Sequence, residues 1–82
     1  MRPISEIAKE ICADWKNVNF AAKPYLSAMR ALNGLDQDYG MDSAASIIMY
    51  FLSNATTWRG ETAKRIKAEL KAALAAHRKI SR

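Results

Sequence analysis

Residues 58–80 read WRGETAKRIKAELKAALAAHRKI. This stretch decides the fold class, because it fits one long amphipathic helix with two adjoining stripes. Ala63, Ile66, Leu70, Ala73, Leu74, His77 and Ile80 recur at steps of three and four and cover one face. Lys64, Lys67, Lys71 and Arg78 fall on a neighbouring stripe, since steps of three, four and seven return to nearly the same side. The apolar stripe is what a core needs. The basic stripe is a solvated face, a rail for a phosphate backbone, or a contact for an acidic protein surface.

Working back along the chain, helical patterns recur. Helix one is expected from Pro3 to Trp15. Proline is tolerated in a first turn, where its missing N–H has no helical partner, and Ile4, Ile7, Ala8, Ile11 and Trp15 form a narrow apolar stripe. Asn17 and Asn19 in KNVNF suit a turn or a cap. Helix two is expected from Ala21 to Asn33, with Pro24 in its first turn and Gly34 ending it in a left-handed conformation. GLDQDYGMD, residues 34–42, reads as the longest irregular stretch, with Asp42 as the N-cap of the next helix. Helix three is expected from Ser43 to Asn54. Ala44, Ile47, Ile48, Phe51, Leu52 and Ala55 cover a broad arc that Met49 and Tyr50 extend, the signature of a central helix. SIIMYFL alone also suits a buried strand, but its alanine-rich flanks favour helix. Asn54, Thr56 and Thr57 mark the joint to helix four. Gly60, placed inside the first turn of that helix, is expected to cost about 1 kcal/mol against alanine, or to permit a close backbone approach.

These patterns predict an all-α fold: one four-helix domain over residues 1–82, as a compact bundle or an orthogonal array, with the other helices packed along the apolar stripe of helix four. The length of 82 residues suits one small domain, able to bury roughly 60% of its unfolded surface. Half the residues are hydrophobic, which is a globular composition. The net charge is +5 and the isoelectric point about 9.7. That balance favours acidic partners, whether nucleic acid, anionic membrane or protein.

Cys12 is the single cysteine, so no intrachain disulfide and no cysteine-rich metal site can form. A reducing, cytoplasmic setting follows. The N-terminus MRPISEIAKE carries charges where a signal peptide needs an apolar run. The longest apolar run, Ile47 to Leu52, is far short of the ~20 residues a membrane span needs.

Catalytic and metal motifs fail one by one. Asp36, Asp38 and Asp42 surround Gly40, but an EF-hand counted from Asp36 would need glycine where Met41 stands and glutamate where Ile47 stands. They read as turn residues and a cap, or as a contact point for a cationic partner. A helix-turn-helix needs its recognition helix directly after the turn, and the helix after Gly34 starts too late and is apolar. His77 is the single histidine, and the sequence shows no motif spacing that would make it part of a zinc site or a triad. Cys12 reads as a small hydrophobe at the border of the helix-one stripe. No cofactor, metal or catalytic residue is expected, and the protein is read as a non-enzyme. Trp15 and Trp58 sit at helix ends and suit core packing. Trp58 beside Arg59 also suits an exposed anchor, since tryptophan and arginine dominate binding hot spots. Tyr39 in the long loop is the other aromatic expected at a protein-binding surface.

The string DWKN (14–17), PYLSAM (24–29), YG followed by Asp42, and YFLSNATTWRGETAKRIKAELK (50–71) resembles a group of small bacteriophage and prophage proteins. The resemblance runs from Ile7 to about Lys71 and carries over no functional residue. It implies a bacterial cytoplasm during infection or lysogeny. It also implies a role by binding to a host protein, such as inhibition of a defence nuclease complex in the manner of an anti-CRISPR. Two other readings stay open: a non-specific nucleic-acid accessory protein using the basic stripe, and a structural subunit of a phage assembly that self-associates through Met49 and Tyr50.

Overall fold

A computed structural model of the chain describes residues 2–80, and the side chains of residues 2–77. The described residues form α1 (Ile4–Asp14), α2 (Lys23–Met29), a hairpin of β1 (Asp38–Tyr39) and β2 (Asp42–Ser43), α3 (Ala44–Ser53) and α4 (Glu61–Ile80). About 59% of the chain is helical.

Ile4, Ile7, Ala8 and Ile11 face inward from α1, Leu26, Ala28 and Met29 from α2, Ile47, Ile48 and Phe51 from α3, and Ala63, Ile66 and Leu70 from α4. The start of α1 has no side-chain cap. The amides of Ile4 and Ser5 instead donate to the carbonyls of Asn33 and Leu32, at 3.0 and 2.8 Å. Two N–H groups that a helix start leaves unpaired are thus satisfied by the segment following α2, which ties the first helix to the second.

The expected all-α fold is corrected. Residues 38–43 form an antiparallel two-stranded sheet, with Asp38 opposite Ser43 and Tyr39 opposite Asp42. Gly40 takes the first tip position with φ +61°, as a two-residue hairpin with glycine leading requires. A four-helix bundle is not shown either. Helices of seven and twenty residues, about 10 and 30 Å long, cannot lie as four matched rods. α2 packs on α3 and α1, and α4 on α1 and α3.

Smaller expectations change for local reasons. Helix two stops at Met29, four residues before Asn33, and Gly34 is not in the left-handed region. Ser43, not Asp42, caps α3, its hydroxyl accepting from the Ser46 amide at 3.1 Å, because Asp42 is committed to the hairpin. Helix four begins at Glu61, so Gly60 lies before it. Its φ of +113° favours glycine, and a Cβ there would meet no atom within 4 Å. Both the expected helical penalty and the close approach are therefore wrong.

Candidate functional site

The joint between α3 and α4 is built around an aromatic cluster. The Trp15 ring stacks on Trp58, with centroids 5.7 Å apart and planes 11° apart. Phe51 meets both rings edge-on, at 6.2 and 6.4 Å. The Trp58 indole N–H donates to the Asp14 carboxylate at 2.8 Å, which satisfies the ring's polar atom at the end of α1.

Trp58 is therefore a core residue, 2% exposed. The exposed anchor expected of it is corrected: the ring is held by Trp15, Phe51 and Asp14. Arg59 beside it is exposed. Tyr39 is exposed too, on β1. Tyr39 and Arg59 lie toward opposite ends of α3, a helix of ten residues, about 15 Å long. The three residues expected to share one protein-binding surface are thus split into a hairpin residue, a core residue and an exposed cation.

The basic stripe divides as well. Lys64 and Lys71 are exposed on α4. Lys67 is half-buried, and its ammonium donates to the carbonyls of Ala55 and Trp58, both at 2.7 Å. It also lies 5.8 Å from the centre of the Trp58 ring, a cation–π distance. Burial lowers the Lys67 pKa, and the positive charges of Lys71 and Arg59 lower it further. The Arg78 side chain lies outside the described residues.

An open cleft of about 310 Å³ lies at this joint, lined by Trp58, Arg59, Gly60, Ala63, Lys64 and Lys67. Arg59 from the connector and Lys64 and Lys67 from α4 thus meet at one concavity. The charge distribution along the chain agrees: residues 59–82 hold eight Lys or Arg against two Glu, while residues 1–58 hold five against six acids. All of the net positive charge comes from the α4 segment.

Opposite the cleft side of α4, an ion-pair clamp joins α1 to α4. Arg2 donates to Glu10 at 2.9 Å and to Glu69 at 2.8 Å, and Arg65 pairs with Glu10. Arg65 and then Arg2 hold the Glu10 carboxyl below its ordinary value. Arg2 does the same for Glu69. Nothing in sequence spacing marks residues 2 and 69 as partners.

Cys12 is half-buried beside a smaller groove of about 170 Å³, lined also by Val18, Lys23, Leu26, Ser27 and Arg30. His77 is half-buried near the end of α4. Among the described residues no group of three or more His, Cys, Asp or Glu is placed to hold a metal ion, and no helix is long and apolar enough to cross a membrane. Comparison with known proteins finds no matching family model, no matching curated protein and no matching solved structure.

Proposed function

We propose that this protein is a non-enzymatic binding protein of phage type that engages an acidic surface of a host protein through the α3–α4 joint. Its concrete form is inhibition of a host or defence system, such as a nuclease complex, in a bacterial cytoplasm. The observation that carries the reading is the convergence of Arg59, Lys64 and Lys67 on one cleft. A local concavity with a half-buried lysine on its wall suits one or two acidic groups presented by a folded partner. Resemblance to phage and prophage proteins supplies the setting.

The test is capture of partners from a bacterial lysate by the tagged chain, with and without nuclease. The reading expects a discrete host protein that survives nuclease and is lost from the Arg59→Glu, Lys64→Glu double variant. That variant changes only exposed residues, so its circular dichroism should match wild type. Capture unaffected by the double variant overturns the reading.

A second reading rests on Lys64 and Lys71, which stay exposed on one stripe two turns apart. They suit a nucleic-acid backbone. Lysines contact phosphates as point charges, so binding would ignore sequence, fall steeply with salt and lose about one unit of log–log salt slope per contacting lysine removed. Recovery only of nucleic-acid-associated proteins that vanish on nuclease treatment would favour it.

A further inference from the structure

Among the described residues the exposed large hydrophobics are Phe20, Tyr39, Met41, Met49 and Tyr50, and they stand on α3 or on segments joined to its two ends. Tyr39 and Met41 stand on the hairpin that leads into the helix. Met49 and Tyr50 lie on its outer face, 46% and 48% exposed. Phe20, 90% exposed, stands beside the far end, because its neighbour Asn19 donates to the Asn54 carbonyl at 2.7 Å. Residues 43–58 contain no charged side chain at all, in a chain that is 26% charged. A solvent-facing helix ordinarily carries charge on its outer face. This one carries Ser46, Met49, Tyr50 and Ser53 instead.

The segments at the two ends of α3 have opposite charge. Residues 31–58 hold three aspartates and no Lys or Arg, and all three, Asp36, Asp38 and Asp42, are exposed in and beside the hairpin. The other end opens on the cations of the joint, Arg59 and Lys64.

We propose that a second copy of this chain covers α3, in an antiparallel two-fold pair. Met49 lies near the middle of the helix, so a two-fold axis there sets Met49 and Tyr50 of one copy against their equivalents. The same rotation brings the acidic hairpin of each copy to the basic joint of the other, twice. A parallel pairing sets acid on acid and cation on cation, and is excluded by repulsion. Charge complementarity thus selects both the occupant and its orientation. Phe20 of one copy then approaches the Met41 tip of the other. This inference is independent of the acidic-partner reading, although both use Arg59 and Lys64, so the two complexes exclude one another.

The test is sedimentation equilibrium of the full chain from micromolar to millimolar concentration, at low and high salt. A mass that rises to that of a dimer and stops there is expected, with weaker association at high salt. Tyr50→Lys places two like charges near the axis and should weaken the dimer at least tenfold. Tyr50 packs on Tyr25, with centroids 5.4 Å apart, so Met49→Glu repeats the test if that variant loses helix. Asp38→Lys with Asp42→Lys should weaken the dimer, as should Arg59→Glu with Lys64→Glu. All four changes together should restore it, because the ends are then reversed in both copies. A monomer throughout, a series that grows past two, a dimer indifferent to both central variants, or failure of the four-fold rescue overturns the proposal. Tyr50→Lys leaves the joint cations intact, so capture of an acidic host protein by that variant is judged separately.

Discussion

Lys67 donates to the Trp58 carbonyl at 2.7 Å and sits 5.8 Å from the centre of the same residue's ring. One lysine of a surface stripe thereby closes the joint between α3 and α4. Ala55 and Trp58 lie in the connector between the two helices, and the ammonium donates to both their carbonyls, the first of which also accepts from the Trp58 amide. Burial, with Lys71 and Arg59 nearby, lowers the Lys67 pKa.

Lys67→Met keeps the apolar stem and removes the donor. It should destabilise the fold by about 1–3 kcal/mol, the cost of leaving the part-buried Trp58 carbonyl without its donor. Lys64→Met, on the same stripe but exposed, should stay within about 0.5 kcal/mol of wild type. Urea unfolding of the two variants side by side checks this. Equal effects would mean that Lys67 is only another surface cation.

Trp58→Phe removes the indole N–H that Asp14 accepts and part of the stack on Trp15. A loss of about 1–3 kcal/mol is expected, rising to about 3–5 kcal/mol for Trp58→Ala, where a cavity is added. Arg59→Ala should leave stability near wild type. Thermal unfolding followed by circular dichroism separates the two neighbours, and a stable Trp58→Ala would return that ring to the surface.

The two positive-φ glycines offer a backbone comparison free of steric clashes, since a Cβ at Gly40 or Gly60 meets nothing within 4 Å. Gly40, at φ +61°, is the first tip residue of a two-residue turn, a position that glycine dominates. Gly60, at φ +113°, lies where essentially only glycine is found, at about 1–3 kcal/mol for other residues. Gly40→Ala and Gly60→Ala should therefore each lower the urea midpoint, by an amount worth about 1–3 kcal/mol. A Gly60→Ala variant as stable as wild type would show that residue 60 relaxes into the helix when given a side chain.

Acid should loosen the clamp between α1 and α4. Glu10 and Glu69 have folded pKa values below the ordinary 4.5 because they accept from Arg65 and Arg2. A carboxyl depressed on folding adds stability above its unfolded value, and that stability is lost as pH falls through the folded value. Wild type should thus lose stability below about pH 4.5, and Glu69→Gln should lose less of it over that window, having less to lose. Urea midpoints measured at neutral and acid pH check the slope. An unchanged slope in Glu69→Gln counts against the clamp.

Much of the helical layout was legible in the chain. The buried faces of α1 and α3 and the first turns of α4 follow the apolar spacing, because burial and helical period coincide there. The hairpin was not legible. Two-residue strands are too short to show alternation, and Asp-Tyr-Gly-Met-Asp uses the same residues that any loop uses. Helix two ran long on paper because Ala31 and Leu32 suit a helix. In the structure Leu32 is buried and its carbonyl serves Ser5, so tertiary demand ended the helix early. The candidate site was half legible. Spacing marked Lys64, Lys67 and Lys71 as one stripe, but their division into exposed cations and a structural donor depends on where α3 ends in space.

The sequence alone determined the periodic helices and the concentration of positive charge in the last third, because these depend on composition and on spacing within one element. Only the tertiary structure decided that Trp58 is core, that Lys67 belongs to the joint, that Arg2 clamps Glu69, and that the exposed apolar residues stand on α3 and at its two ends. Each of those depends on which distant segments meet. Periodicity constrains which face of an element turns inward, but it carries no information about what lies on the other side.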